Sequence, residues 1–239
     1  MKAIVMAAGL GNRLRPITTY LPKCMVRIKG VPLLGWWLQK LKNAGIEEVL
    51  INMHYLPRAV ADYVNSEEWG LKVHLVYEEQ LLGSLGTLSA NRHFFSNESS
   101  FLVVYADNLT DISLDEFISC HNQHDLTATM GLFRSDRPKS CGIVGLGANN
   151  IVVDFEEKPA KPKGNLSNAG IYMFRDSVWE FVDSASPPRD IGYDLLPRLT
   201  GRMSGYQIPG FFMDIGTIES LKAANGRWSY DYKQNASSH

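Results

Sequence analysis

Residues 6–15 read M-A-A-G-L-G-N-R-L-R, two glycines and two arginines placed directly after a strand-length apolar run. Gly9 and Gly11 permit a tight turn and let backbone N–H groups approach phosphate oxygens closely. Arg13 and Arg15 add charge, and a guanidinium can grip phosphate through two parallel hydrogen bonds. The loop reads as a phosphate cradle and the chain as a binder of a nucleoside triphosphate. Two familiar motifs are excluded. A dinucleotide fingerprint needs a third glycine where Leu14 stands, and no G-x-x-x-x-G-K-[ST] run occurs. Lys23, ten residues beyond Arg13, follows a proline that pins its backbone. Taken alone it reads as a surface lysine, and Asp107 as a turn or cap residue.

The order A-A-G-L-G-N-R-L-R-P-I-T…L-P-K closely resembles the N-terminal signature of the sugar-1-phosphate nucleotidyltransferases, with Asn12 where Thr or Ser is usual and Cys24 where Pro is usual. The resemblance continues along the chain. Tyr77–Leu88 (Y-E-E-Q-L-L-G-S-L-G-T-L) is similar to the family's base-contacting segment. Phe101–Asn108 (F-L-V-V-Y-A-D-N) is similar to its strand ending in G-D, with Ala106 in place of glycine. Phe155–Pro159 (F-E-E-K-P) and Asn168–Tyr172 (N-A-G-I-Y) are similar to its sugar-phosphate motifs, and Phe211–Thr217 (F-F-M-D-I-G-T) to its second acidic motif.

What the resemblance implies is nucleotidyl transfer from an NTP to a sugar-1-phosphate. Ala8, Gly9, Gly11, Arg13, Lys23, Glu79, Leu82 and Gly83 would then contact the nucleotide. Arg13 and Lys23 would stabilise the leaving pyrophosphate. Asp107 and Asp214 would hold Mg²⁺, which takes one or two carboxylates and completes its shell with phosphates and water. Lys158 would pair with the sugar phosphate, while Glu157, Asn168 and Gly170 would read hydroxyls. Arg13, Lys23, Asp107 and Lys158 form the catalytic set. Residues 156–215 look most like guanylyltransferases acting on mannose- or heptose-type 1-phosphates. Arg189–Leu199 also resembles uridylyl- and adenylyltransferases for glucose-type phosphates, leaving uridylyl or thymidylyl transfer to glucose-type or amino-sugar 1-phosphates open. Ala106-Asp107-Asn108 is similar to cytidylyltransferases for phosphocholine-like acceptors. A non-catalytic, regulatory nucleotide-binding subunit would have lost these charged groups, and all are present.

The elements that must position these residues follow from hydrophobic periodicity. Ile4–Ala8, Glu48–Asn52, Lys72–Tyr77 and Phe101–Tyr105 read as strands. Pro32–Asn43, Pro57–Ser66, Leu85–Phe94 and Leu114–Gln123 read as the helices between and after them. This order predicts an α/β fold with a Rossmann-like, mostly parallel central sheet and helices on both faces. Ligands gather at the carboxyl ends of such strands. Leu126–Phe133, Gly142–Gly147, Ile151–Glu156 and Ala169–Phe174 are shorter, turn-separated strands, which predicts a small antiparallel extension. Helical patterns return at Ser177–Val182, Tyr193–Leu199 and Ile218–Asn225. The reading is one domain over 1–239, of the nucleotide-diphospho-sugar transferase type by resemblance, with a nucleotide-binding half (1–125), a sugar-phosphate half (126–228) and a frayed tail (229–239). His121 and His124 lie three apart on a predicted surface helix, without the partners that a metal site needs.

Composition adds boundaries. A net charge of −1 gives no general attraction to nucleic acid or anionic membrane. Three scattered cysteines without a CxxC read as free thiols in a reducing compartment. The N-terminal apolar run is too short for a signal peptide and no run is long enough to span a membrane. A cytoplasmic enzyme without nucleic-acid or membrane partners is expected. The tryptophans and apolar helix faces serve cores and interfaces alike, so a homo-oligomer stays open. No hexapeptide repeats follow the last helix, so acetyl transfer or trimerisation through them is not expected.

Overall fold

The computed structural model describes residues 1–182 and 189–229. The fold is a mixed sheet whose central strands are mostly parallel, with helices around it and a small antiparallel extension. The chain divides into two compact units, each discontinuous in sequence. The first takes Met1–Leu81, Val104–Leu114 and the chain from Gly210; the second takes Leu82–Val103 and Asp115–Pro209. Among the described residues no helix is long and apolar enough to cross a membrane.

In the first unit β1 (Lys2–Met6) opens the chain. A short hairpin follows, β2 (Arg27–Ile28) with β3 (Val31–Pro32). Then come α1 (Leu33–Asn43), β4 (Glu48–Met53), α2 (Pro57–Asn65) and β5 (Lys72–Tyr77). β4 pairs in parallel with β1 and with β5. Ala3, Ile4 and Val5 are wholly buried, as a parallel strand covered on both faces requires. The strand was expected to run to Ala8, but it ends at Met6. The amide of Ala7 turns out of the ladder and donates to the side chain of Asn52 at 2.7 Å.

Helix α1 begins one residue later than expected, because Pro32 is extended and belongs to the hairpin. Its Leu34, Trp37, Leu38 and Leu41 are buried as the periodicity predicts. Both neighbouring tryptophans are core residues. Trp36 meets Trp228 edge-on at 5.5 Å, while the Trp37 indole N–H donates to the Asn108 carbonyl at 2.8 Å. Trp228 follows α5 (Ile218–Arg227), whose start is held by a Thr217–Ser220 capping box.

The strand β6 (Ser100–Tyr105) carries the chain between units. In the second unit β8 (Ala128–Arg134), β9 (Gly142–Leu146), β10 (Val152–Glu157), β11 (Leu166–Arg175) and β12 (Met203–Gln207) lie in the order β10-β9-β11-β8-β12. All pairings but β8–β12 are antiparallel, which is the expected extension. β12 escaped the sequence reading, since M-S-G-Y-Q carries a central glycine and no clear alternation. Helices are α3 (Ser84–Ala90) and α4 (Leu114–Asn122). The expected helix over 85–94 breaks at Asn91, whose side-chain N–H donates to the Thr87 carbonyl at 2.8 Å, and a 3₁₀ turn follows. The pattern at 177–182 is a 3₁₀ turn as well. The one at 193–199 is a π turn, Ile191–Leu195, and then a 3₁₀ turn, because Pro197 withholds an amide from any continuous helix. Phe95 stacks on Phe101 at 4.2 Å, and Trp179 covers Phe101, forming this unit's aromatic core. From residue 230 the tail expected to fray lies outside the described residues.

The histidine pair departs from its expected surface position. His121 is fully buried and shares hydrogen bonds with Ser100 Oγ (3.1 Å) and Thr129 Oγ1 (2.9 Å). Burial, then the Arg175 guanidinium and His124, pushes its pKa down to about 3. The unfolded chain protonates this group near the ordinary histidine value of about 6.5. Stability is therefore complete above that pH and is lost as the pH falls toward 3, by about 1.4 kcal/mol per pH unit for one imidazole. Urea midpoints measured from pH 7 to 4.5 should fall, and His121→Gln should flatten most of that slope. An unchanged slope in the variant would count against the assignment.

Candidate functional site

Within the first unit, the glycine loop leaves the sheet through buried Ala7 and Ala8 and comes into solvent at Gly9 and Leu10. Gly11 is left-handed, with φ of +65°. A Cβ there would stand 2.9 Å from Thr18 Cγ2 and 3.1 Å from Lys23 Cβ. The Thr18 hydroxyl donates to the Gly11 carbonyl at 2.7 Å. Glycine at this position thus lets the loop close against the Thr18 and Lys23 side chains. A single 3₁₀ turn, Asn12–Leu14, buries Leu14 and leaves Arg13 exposed.

Lys23 lies in the 3₁₀ turn Lys23–Met25, behind extended Pro22, and its side chain is only 11% exposed. It is not the surface lysine that it reads as alone. Its ammonium donates to Asp107 Oδ2 in a short contact and lies 3.5 Å from Asp214 Oδ1. Arg13 Nη2 stands 3.9 Å from the other Asp214 oxygen. Burial pulls the Lys23 pKa down, but the two aspartates outweigh it and the net shift is upward. Burial, with the charge of Asp107, raises the Asp214 pKa against the opposing pull of Lys23 and Arg13. Neighbouring Cys24 is buried, which pushes its thiol up to about 12 and removes it as a nucleophile.

The two aspartates meet through a ribbon that the sequence did not reveal. β7 (Asn108–Thr110) pairs antiparallel with β13 (Phe212–Asp214), setting Asp214 opposite Asn108. Asp107 sits in the turn between β6 and β7, and its carbonyl accepts from Ile215 N–H at 2.9 Å. Both ribbon strands have three residues, too few for periodicity to register. Ala106, at the family's glycine position, has no positive φ, and its amide donates to the Met6 carbonyl at 3.0 Å.

Asn52 and Glu78 were missed. Asn52 receives the Ala7 amide and donates to Glu78 Oε1 at 2.9 Å, and both side chains are buried. They fasten the exit of β1, just before the loop. Glu79, the residue singled out from the sequence, is exposed. Only a buried polar side chain that repeats no motif marks Asn52, and sequence periodicity carries no such signal.

The second unit holds the remaining expected residues. Glu157 ends β10 and pairs with Lys158 at 3.5 Å; Glu157 is 11% exposed and Lys158 52%. Burial raises the Glu157 pKa, Lys158 opposes this, and Asp190 adds to it. Lys158 is itself left-handed, with φ of +48°, and its ammonium lies 5.6 Å from the centre of the Tyr193 ring. Asn168 and Gly170 fall at an irregularity in the β11–β8 register. Asn168 accepts from the Gly170 amide at 2.9 Å and donates to the Tyr172 hydroxyl at 2.7 Å. Burial raises the Tyr172 pKa, so its hydroxyl stays protonated. Leu82 and Gly83 precede α3, and Gly83 has φ of +74°.

A family model for nucleotidyl transferases matches residues 2–229. The chain is 33% identical over 226 residues to the probable mannose-1-phosphate guanylyltransferase 2 of Arabidopsis thaliana, covering 90% of this chain and 62% of that one. It is 29% identical over 222 residues to the mannose-1-phosphate guanylyltransferase catalytic subunit beta of Danio rerio, with 90% and 61% covered. The chain thus spans somewhat under two thirds of the length of these relatives. A structure from Bacillus anthracis assigned as a glucose-1-phosphate thymidylyltransferase superposes with a TM-score of 0.85 at 22% identity, covering 98% of this chain and 99% of that one. HddC from Yersinia pseudotuberculosis superposes with a TM-score of 0.78, also at 22% identity, with 95% and 98% covered.

Proposed function

We propose that this chain, which belongs to the nucleotidyl transferase family, transfers a nucleoside monophosphate from an NTP to a sugar-1-phosphate and releases pyrophosphate. One observation carries the reading. Arg13, Lys23, Asp107 and Asp214 come from three separate stretches of sequence and converge around one ammonium beside the glycine loop. A phosphate oxygen of the sugar-1-phosphate attacks the α-phosphorus in line. The new O–P bond forms as the bond to the β-phosphate oxygen breaks, and that oxygen leaves as part of pyrophosphate. The nucleophile is already ionised at neutral pH, so positioning and charge neutralisation do the catalytic work. Arg13 and Lys23 neutralise the leaving pyrophosphate, and the amides near Gly9 and Gly11 hold its oxygens. Lys158 aligns the incoming phosphate, with Glu157, Asn168 and Gly170 at the sugar hydroxyls. Leu82, Gly83 and the neighbouring Glu79 belong to the base-reading segment.

Asp107 and Asp214 suit Mg²⁺. Both reach one cationic atom, so their oxygens face a common point. Among the described residues no third ligating side chain joins them, which matches an ion whose remaining ligands are phosphate and water. Such an ion supplies charge neutralisation at the phosphates. GTP and a mannose-type 1-phosphate are the favoured pair, because guanylyltransferases of mannose-1-phosphate are this chain's relatives at about 30% identity.

Pyrophosphate release across a matrix of five NTPs and a panel of sugar-1-phosphates, with and without Mg²⁺, tests the proposal. The expected result is turnover in at least one pairing, GTP with a mannose-type phosphate foremost, abolished by EDTA. No turnover in any pairing overturns it.

A further inference from the structure

Asp190 lies in the segment Arg189–Leu199 and has no role in the proposed transfer, yet its carboxylate accepts three hydrogen bonds. Its Oδ2 accepts from the Ser84 hydroxyl at 2.9 Å. Its Oδ1 accepts from the amides of Gly192 (2.7 Å) and Tyr193 (3.4 Å), capping the π turn Ile191–Leu195. Ser84 Oγ in turn accepts from the Ile191 amide at 2.8 Å. The backbones add a second layer. The Arg189 amide donates to the Leu82 carbonyl at 2.8 Å, and the Arg189 carbonyl accepts from Leu85 N–H (3.0 Å) and Gly86 N–H (3.4 Å). Seven hydrogen bonds therefore run either between segment 82–86 and segment 189–191 or between Asp190 and its own turn. They are short-range, partly buried and directional.

The same turn also reaches the other group of expected residues. A Cβ at Gly192 would lie 2.8 Å from Glu157 Oε2, so that backbone is pressed against the carboxylate. Tyr193 places its ring beside the Lys158 ammonium. Segment 82–86 and the pair Glu157–Lys158 thus both contact the one turn that Asp190 caps.

We propose that Asp190, together with the Ser84 hydroxyl, is a positioning residue that locks the base-reading segment to the sugar-phosphate turn, so that occupancy of one orders the other. This rests on the proposed nucleotidyl transfer and deepens it. A hydrogen bond of this kind fixes a segment only modestly by itself. The coupling comes from Ser84 Oγ acting as both donor and acceptor, which makes its two bonds stand or fall together. Turn 189–193 cannot swing away without releasing the hydroxyl and the Leu82–Arg189 pairing at the same time.

Ser84→Ala removes the cross-link and leaves Asp190 capping its own turn, so the fold is spared. The expected result is a KM for the sugar-1-phosphate raised roughly three- to tenfold, although Ser84 lies on the base-reading segment, with the KM for NTP raised as well. Asp190→Asn, which keeps an acceptor oxygen, should fall between wild type and Asp190→Ala. The effects of Ser84→Ala and Asp190→Ala should not multiply in the double variant. A rise confined to the NTP KM, or effects that multiply, overturns the coupling. Amide hydrogen exchange reads the lock without substrate. In Ser84→Ala, Ile191 should lose protection together with Leu85 and Gly86. Unchanged exchange at Ile191 defeats the lock even if the enzyme turns over. Absent turnover in wild type with joint loss of protection defeats only the assigned reaction.

Discussion

Asp107→Asn will slow pyrophosphate release by about a thousandfold or more while the chain stays folded. The substitution keeps the size of the side chain and removes its charge. Lys23 then retains Asp214 as a partner, so its buried ammonium is not stranded, and the melting temperature should move by only a few degrees. What is lost is half of the negative charge that a divalent cation needs. Lys23→Met supplies the opposite perturbation. It removes an ammonium that both carboxylates now contact, so Mn²⁺ should bind nucleotide-free Lys23→Met more tightly than wild type and Asp107→Asn more weakly. Isothermal titration calorimetry reads that order, and turnover should be lost in both variants. Near-wild-type turnover of Asp107→Asn would remove this carboxylate from the reaction, and tighter Mn²⁺ binding to it would remove Asp107 from the metal site.

The elements of the first unit were legible because their signals are local and redundant. Helix α1 carries Leu34, Trp37, Leu38 and Leu41 at helical spacing with a proline at its start and a glycine past its end, so burial, capping and propensity agree. The ends of elements were less legible, since they depend on single side chains that compete for backbone groups. Asn52 takes the Ala7 amide and ends β1; Asn91 takes the Thr87 carbonyl and ends α3. The candidate site divides in the same way. Its glycines and charged residues stood out as types at a spacing, whereas the ribbon β7–β13 that joins Asp107 to Asp214 is a pairing across about a hundred residues between strands too short to announce themselves. Sequence motifs register groups that would touch a ligand. Groups that only hold those in place, such as Asn52, Glu78 and Asp190, leave no spacing rule to find.

Gly83→Ala should be the most damaging single-methyl change in the second unit. Its φ of +74° is a conformation that alanine adopts only with strain, and the added Cβ would fall 2.2 Å from the Arg189 carbonyl oxygen. That oxygen cannot retreat freely, because Leu85 and Gly86 donate to it. Relief must come from the backbone, and the Leu82–Arg189 and Ser84–Asp190 hydrogen bonds yield with it. The expected cost is about 2 kcal/mol or more of stability, seen as a lower urea midpoint at an unchanged m-value, together with a raised KM for NTP. Gly9→Ala separates this from any general effect of adding a methyl group to a glycine turn. A Cβ at Gly9 meets nothing within 4 Å and its φ is not in the left-handed region, so the urea midpoint should stay close to wild type. Equal midpoints for the two variants would mean that segment 82–86 is pliant and that its fit against Arg189 carries no energy.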